Sequence, residues 1–411
     1  MAAERKAGTM NRIHQDATAD IHFEIRWDGE ETSHTEVYES YNVNFWRDCL
    51  PESLGSGLEG KKAGDIIEID FEPGIVVSRY DPKGAFDVRR AQFNSRFTSE
   101  RITEPRMGRF YPKGILKGIA GIFSQNLHPF RCVGVDSGHL SVDVNHPLSE
   151  KAIRLRALVK DVREKRSDRG GICHHWMELI SDGPGMQTRW ENQPTDFFSD
   201  TPFKRDDERP DHGFYARPRL VQHLDSTAMD IVSSIYGRFL TDGMQVLDLM
   251  GSWTSHIPHG LNLKKLTGLG LNRQELEKNP RLTDRMVHDL NQTPNLPFET
   301  NTYDTVICTV SIEYLIHPVA VFKEVARVLR PGGRFVVTFS NRWFPSKVIN
   351  VWKELHDFER MGLVLEYFQK SGKFRNLKTY SMRGLLRPPQ DKYFPEQRLS
   401  DPVFAVWGQK F

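Results

Sequence analysis

The sequence predicts two folds in one chain: a β-rich α+β domain over residues 20–165 and a doubly wound α/β domain over 214–411, joined by a connector at 166–213. Three observations lead there. Through the second half, short apolar runs alternate with amphipathic helical patterns, which builds parallel strands joined by crossover helices. The first half is dominated by period-two alternation between Gly/Pro turns. Between them lies a stretch crowded with Pro, Gly and Asp that follows neither period.

Residues 66–71 (IIEIDF) follow the turn-forming GKKAGD and read as a strand. Ile153, Leu155, Ala157 and Val159 alternate with Arg154, Arg156 and Lys160, the pattern of a half-buried antiparallel strand. Helices in this half read as short. The connector opens with KRSDRGG and runs through SDGPGMQTRWENQPTDFFSDTPFKRDDERPDHG, which reads as linking chain rather than a packed element. In the second half, 245–250 (QVLDLM), 265–271 and 303–310 are strands. From His317 to Leu329, Val319, Phe322, Val325, Ala326 and Leu329 fall on one helical face. Pro331-Gly332-Gly333 ends that helix, and 334–339 forms the next strand. Ligands of such sheets bind outside the carboxyl ends of the strands.

Composition excludes several classes of function. The 411 residues suffice for two to three domains, each able to bury a core without disulfide or metal staples. Lys and Arg total 56 against 54 Asp and Glu, a net charge of +2 that disfavours nucleic acid as a partner. No apolar run approaches the roughly eighteen residues of a membrane span. The first twenty residues carry acids and lack an apolar core, so a cytoplasmic location is expected. Cys49, Cys132, Cys173 and Cys308 are too scattered for a disulfide framework. Cys173 and His175 share a face of an extended chain, but no second ligand pair lies near them in sequence, and no metal site is expected.

The run HDLNQTPNLPFETNTYDTVICTVSIEYLIHPVAVFKEVARVLRPGGRFVVTFSNR resembles the second half of a class I S-adenosylmethionine-dependent methyltransferase, and the resemblance extends over 214–411. LPF, YDTV and RVLRPGG arrive in that family's order. The resemblance implies a Rossmann-like sheet and S-adenosylmethionine as cofactor. It places Asp289 and Leu290 at the adenine, and Asp248, Met250, Gly251, Ser252, Trp253 and Val310 around the cofactor. Two motifs depart from the family. The loop after the first strand, Asp248 to His256, keeps only Gly251 of the expected glycines. The ribose-binding acid falls at about Gly270, leaving Asn272 as a neutral partner, an exchange costing about 1 kcal/mol, or roughly tenfold in affinity. The pattern DLxxSWxSHxP spanning Asp248 to Pro258 is similar to the signature of a subgroup that keeps methyltransferase features elsewhere. The alternative is a degenerate scaffold that no longer uses the cofactor.

Methyl transfer is an in-line displacement at a sulfonium methyl, so the protein's task is mainly positioning, with effective molarities of about 10⁵–10⁸ M. His256 is the candidate base or acceptor-orienting residue, with Tyr314 and Arg342 as further catalytic candidates. Glu313 and His317 lie on neighbouring loops; Arg219 and His223 sit in a leading segment (214–225) that reads as a lid or as a solvated helix. Arg342 beside Trp343 and Phe344 suits an anion or a helix cap. A thiol, with a free pKa of about 8.5, needs no strong base, so a small thiol or sulfide is the expected acceptor.

In the first half, SVDVNHPL (141–148) with the strand after it, and GLEGKKAGD (57–65), resemble segments of FKBP-type prolyl isomerases of the SlyD kind over residues 20–165. That resemblance implies an FKBP-like fold with residues 93–136 as a chaperone-like flap. Phe45, Trp46, Phe71 and Tyr80 are the aromatic candidates for its cleft. The expected partners are a small-molecule substrate and, through this domain, a protein client or a second copy of the chain. Two further readings stay open: a prolyl isomerase or chaperone, and a protein methyltransferase whose first domain presents the substrate.

Overall fold

The computed structural model describes residues 11–97, 102–165 and 170–411. The first ten residues, 98–101 of the expected flap and 166–169 of the expected connector lie outside the described residues. The first half supplies β1 (Ala17–Asp28), β2 (Thr32–Asn44), α1 (Glu52–Leu58), β3 (Ile66–Phe71) and β4 (Ala85–Arg89). It continues with β5 (Phe110–Pro112), β6 (Pro129–Val135), β7 (His139–Asp143) and β8 (Ile153–Glu164). Next come α2 (Trp176–Ser181), α3 (Asp211–Tyr215), α4 (Ser226–Gly237), β9 (Gln245–Leu249), β10 (Lys265–Gly270), α5 (Arg273–Lys278) and β11 (Asp284–Val287). The chain closes with β12 (Tyr303–Thr309), α6 (Pro318–Val328), β13 (Leu329–Phe339), α7 (Asn350–Glu354), α8 (Asp357–Ser371), β14 (Phe374–Arg383) and β15 (Val403–Lys410). No helix among the described residues is long and apolar enough to cross a membrane.

The second half is the doubly wound domain expected. Its strands run β11-β10-β9-β12-β13-β15-β14, the first five parallel and β15 antiparallel between β13 and β14. Chain order reverses between β9 and β12, so a crevice opens where their following loops diverge. Apolar layers cover both faces: α6 and α8 with Phe322, Phe335 and Tyr367 on one side, α4 and α5 with Val232, Tyr236 and Leu276 on the other. One boundary differs. The strand after α6 begins at Leu329, so Pro331-Gly332-Gly333 lies inside β13 as a bulge rather than in a turn before it. Gly332 takes φ +76° there, and the β12–β13 register slips between Tyr303 and Thr305.

The first half is strand-rich, as expected. In β1, alternate residues from Ala17 to Trp27 point into a core shared with Leu155, Ala157 and Val159 of β8. Residues 85–143 form a separate four-stranded sheet, β4-β7-β6-β5, around Phe93, Tyr111, Phe130 and Leu140. The two halves share one sheet: β14 pairs in parallel with β2, from Leu377 opposite Thr32 to Arg383 opposite Tyr38, giving eleven continuous strands. Nor is the connector loose chain. Trp176, Met177 and Ile180 enter the first half's core, Met186 and Phe197 enter the second's, and Arg189 forms a two-pronged ion pair with Glu366 (2.6 and 2.9 Å). Its apolar anchors follow no helical or strand period, which is why composition reads it as linker.

Polar residues fill the seam between β2 and β14. Glu36 accepts from Gln187 Nε2 (2.7 Å) and from the Ser381 hydroxyl, while His34 Nδ1 meets Thr379 Oγ1 at 2.7 Å. Burial lifts the Glu36 carboxyl from 4.5 to about 7. Because the folded value lies above the unfolded one, this group leaves stability untouched below about pH 4.5 and erodes it as pH rises through 7. Glu36→Gln is therefore expected to flatten a decline on the order of 3 kcal/mol in urea-unfolding free energy between pH 5 and 8. An unchanged decline would show that the seam titrates elsewhere.

Candidate functional site

Loops leaving β9, β10, β11 and β12 surround a cavity at the switch point, with about 1210 Å³ of empty space that opens to solvent. The expected cofactor residues Asp248, Met250, Gly251, Ser252, Trp253, Asn272, Asp289, Leu290 and Val310 all line it, as do His256 and Tyr314. So do Arg219 and His223 of the leading segment. Arg342 does not line it; its guanidinium lies 4.6 Å from the Tyr393 ring centre, and its charge reaches the cavity through His223, whose pKa it helps to lower. Glu313 and His317 are also off the cavity wall, Glu313 buried and His317 preceding the first residue of α6.

The backbone around the cavity is held in unusual conformations. Met250, His256 and Val310 take φ of +58°, +51° and +44°. Left-handed backbone is costly for a β-branched residue such as Val310, and such strain concentrates at functional sites. Gly251 and Gly270 explain how the loop survives with few glycines. A Cβ on Gly251 would stand 2.8 Å from the Asp248 carboxylate, and one on Gly270 would overlap the Gly251 carbonyl oxygen. The two glycines thus lay the loop directly on the ends of β9 and β10. Gly270→Ala should displace the loop and abolish cofactor binding by calorimetry with the fold intact by circular dichroism; retained affinity would mean that the loop is not the binding surface.

Asp248 is 2% exposed, and its Oδ2 is buried without a hydrogen-bond partner among the described residues. Burial lifts its carboxyl to about 7, against partial relief from the Ser255 hydroxyl. From the leading segment, Arg219 stacks over Phe214 (4.3 Å to the ring centre) and Phe344 (5.1 Å), and its Nη1 is buried and likewise without a partner among the described residues. An unsatisfied acid and an unsatisfied guanidinium in one cavity fit the ammonium and carboxylate of an amino-acid moiety. Apolar Leu271, Leu290 and Val310 offer walls for a planar base.

Asn272 has its side chain engaged at both ends. Its oxygen accepts from Glu275 N–H as the cap of α5 (3.1 Å), and its amide donates to the Tyr215 and Ala216 carbonyls (2.8 and 3.2 Å). Glu275 of α5, three residues after Asn272, also lines the cavity and accepts from Ser252 Oγ (2.7 Å) and Arg219 N–H (2.6 Å). Sequence reading missed it, although the Asn-x-x-Glu spacing of Asn272 and Glu275 is a helix-start signal. Also missed were Asp211 of α3 and Asn291 after β11, which join two walls of the cavity. Asp211 pairs with Arg205 (2.8 Å) and Lys347 (3.1 Å), and Asn291 donates to Asp211 (2.8 Å) and to the Tyr314 carbonyl (2.9 Å).

Burial pushes the His256 imidazole down to about 4, so the ring is neutral near pH 7. Burial raises the Tyr314 phenol well above its usual value; its oxygen accepts from Phe344 N–H (2.9 Å) and fixes the loop after β13. His223 stands edge-on to Phe344 (5.0 Å), and burial with the Arg219 charge lowers its pKa.

A family profile described as a methyltransferase domain matches residues 251–337. Methyltransferase GfsG of Streptomyces halstedii is 26% identical over 139 residues, 31% of this chain and 49% of that protein. Sterol 4-C-methyltransferase strm-1 of Caenorhabditis elegans is 34% identical over 79 residues, 18% of this chain and 24% of that protein. The matched stretches thus span half or less of these relatives. Among solved structures, a methyltransferase in complex with the Trm112 activator from Haloferax volcanii aligns over 45% of this chain and 90% of its own, at 16% identity and TM-score 0.33. Within the doubly wound second half, residues 251–337 match a methyltransferase domain. S-adenosylmethionine is the cofactor of that domain, and the cavity at the switch point is where the residues fit it.

Proposed function

We propose that the chain transfers the methyl group of S-adenosylmethionine to a small-molecule acceptor, and that the acceptor is a soft nucleophile, a thiol or a sulfide. The observation that carries methyl transfer is the presence of Asp248 Oδ2 and Arg219 Nη1, two buried groups of opposite charge left unsatisfied among the described residues, on one cavity. When bound, the cofactor supplies an electrophilic methyl group and a neutral leaving group. The chain's residues position and shield. Asp248 receives an ammonium, Arg219 a carboxylate, Glu275 a hydroxyl, and Leu290 and Val310 hold an apolar ring. Tyr215, Trp253 and Phe344 exclude water from the cavity mouth, where displacement needs close alignment.

The acceptor assignment rests on His256. An imidazole held at about 4 is a weak base at neutral pH and serves to orient an acceptor by hydrogen bonding. A thiol is already a few per cent ionised there, and a sulfide has no proton to lose. Calorimetric titration with S-adenosylmethionine tests the first step, and absence of binding at millimolar cofactor would favour a degenerate scaffold. Labelled methyl transfer to a cell lysate, sorted into small and large molecules, tests the second. Label confined to protein would overturn the small acceptor and favour a first half that presents protein substrates.

For the first half, the proposal is an FKBP-like module of the SlyD kind, supported by the NHPL segment and the four-stranded insertion. Phe45 and Phe71 pack with its core, Trp46 is 41% exposed and Tyr80 borders a polar groove, so these aromatics do not line one cleft. Recognition of a client or a second copy is therefore favoured over isomerisation, and a proline-limited refolding assay decides it. A cytoplasmic setting and the DLxxSWxSHxP subgroup belong to the same proposal.

A further inference from the structure

We propose that Cys49, Cys173 and His175 form a zinc site in the first half, with a fourth position open to water. Cys49 lies in the loop that leaves β2, and the other two lie just before α2, yet their ligand atoms fall within 4.8 Å of one another. The sulfurs are 3.7 Å apart, and Cys49 Sγ lies 3.9 Å from His175 Nε2. Tetrahedral zinc, with bonds of about 2.3 Å to sulfur and about 2.0–2.1 Å to nitrogen, sets such edges at about 3.8 and about 3.5 Å. Both edges from Cys49 are therefore within a few tenths of an ångström of those values, and the Cys173–His175 edge lies within 4.8 Å. A disulfide would require the sulfurs at about 2.05 Å.

The scaffold around the ligands is built without the metal. Cys49 N–H donates to the His174 carbonyl (2.8 Å), and Trp176 N–H donates to the Cys49 carbonyl (3.4 Å). Beneath them the fully buried Asp48 carboxylate accepts from Asn44 N–H (3.0 Å), His174 N–H (3.2 Å) and Trp176 Nε1 (2.9 Å). Glu178 stands 3.9 Å from His175 Nδ1, where a carboxylate orients a ligating imidazole. Two thiolates and an imidazole are soft to intermediate donors that select zinc over magnesium or calcium, and the thiolates cancel its charge. All three side chains are exposed, which leaves the fourth position to solvent. Binding expels one proton from each thiol, and the ion ties the start of the strap at 173–176 to the end of β2 across 124 residues of chain.

The test uses the full chain purified with a phosphine reductant and no chelator. Elemental analysis is expected to find zinc near one per chain. After chelation, cobalt(II) is expected to give thiolate charge-transfer absorption in the near ultraviolet with the intense visible bands of a tetrahedral site. Cys49→Ser and Cys173→Ser should each roughly halve the charge-transfer band, and the double variant should take up neither ion while keeping its far-ultraviolet spectrum. His175→Ala should keep the charge-transfer band and alter the visible bands. Cys132→Ala, in the four-stranded insertion, should change nothing. The site is overturned if the wild-type chain takes up neither metal or if the double variant still does.

Discussion

Asp248→Asn is expected to weaken S-adenosylmethionine binding about ten- to a hundredfold, the cost of losing a charge-assisted hydrogen bond of about 1.5–3 kcal/mol. Shape is conserved in this change; only the charge goes. The pH dependence separates charge from packing. The Asp248 carboxyl sits at about 7 in the free chain, so roughly half is protonated at neutral pH. An ammonium binds the ionised form, and wild-type affinity should therefore climb as pH rises from 6 to 8. In the variant that climb should disappear. Stability should move the other way. A carboxyl whose folded value is raised costs folding free energy above its unfolded pKa, so Asp248→Asn should unfold at higher urea than wild type at pH 8. Equal affinity and equal pH slope in the two proteins would remove Asp248 from the cofactor site.

The second large effect is structural. Glu359 is buried in the first turn of α8 and accepts from Arg109 Nε (3.3 Å), Phe110 N–H (2.9 Å) and His356 N–H (3.0 Å). One carboxylate thus caps a helix of the second half and anchors the entry to β5 of the insertion. Glu359→Ala leaves the Arg109 guanidinium buried, with only the more distant Glu354 at 4.0 Å, and leaves two backbone donors unpaired. Breaking a buried pair from one side costs about 3–5 kcal/mol, read as a lower urea midpoint. Glu359→Gln keeps the side-chain shape and an acceptor oxygen, so it should lose less than half as much. A loss below about 1 kcal/mol in the alanine variant would mean that the insertion is not held through α8.

Strands buried on both faces and an amphipathic helix leave plain periods, which is why β9, β10, β12 and α6 were legible with ends within one residue. The edge strand β3 was legible from the turn before it, and the start of β8 from its period-two alternation of apolar and basic residues. The long strand β2 was not. Its buried His34, Glu36, Ser40 and Asn44 break any hydrophobic alternation: His34 and Glu36 face a polar seam that exists only once β14 pairs beside β2, and Ser40 donates to the Ile21 carbonyl of β1. The site shows the same division. Candidates within one loop, from Asp248 to His256, line the cavity because a single turn carries them there. Arg342, three residues past the end of β13, turns instead to Tyr393 in a segment whose position no local pattern reveals.

By itself the sequence determined the doubly wound domain, the order of its motifs and the loop that carries Asp248 and Gly251, since each depends on spacing within some tens of residues. Tertiary structure alone decided the rest. It joined the halves into one sheet, brought Arg219 and Asp248 to one cavity, and placed Cys49 beside Cys173 and His175. Those pairings bring together groups separated by long stretches of chain, and hydrophobic periodicity carries no record of which distant surfaces meet.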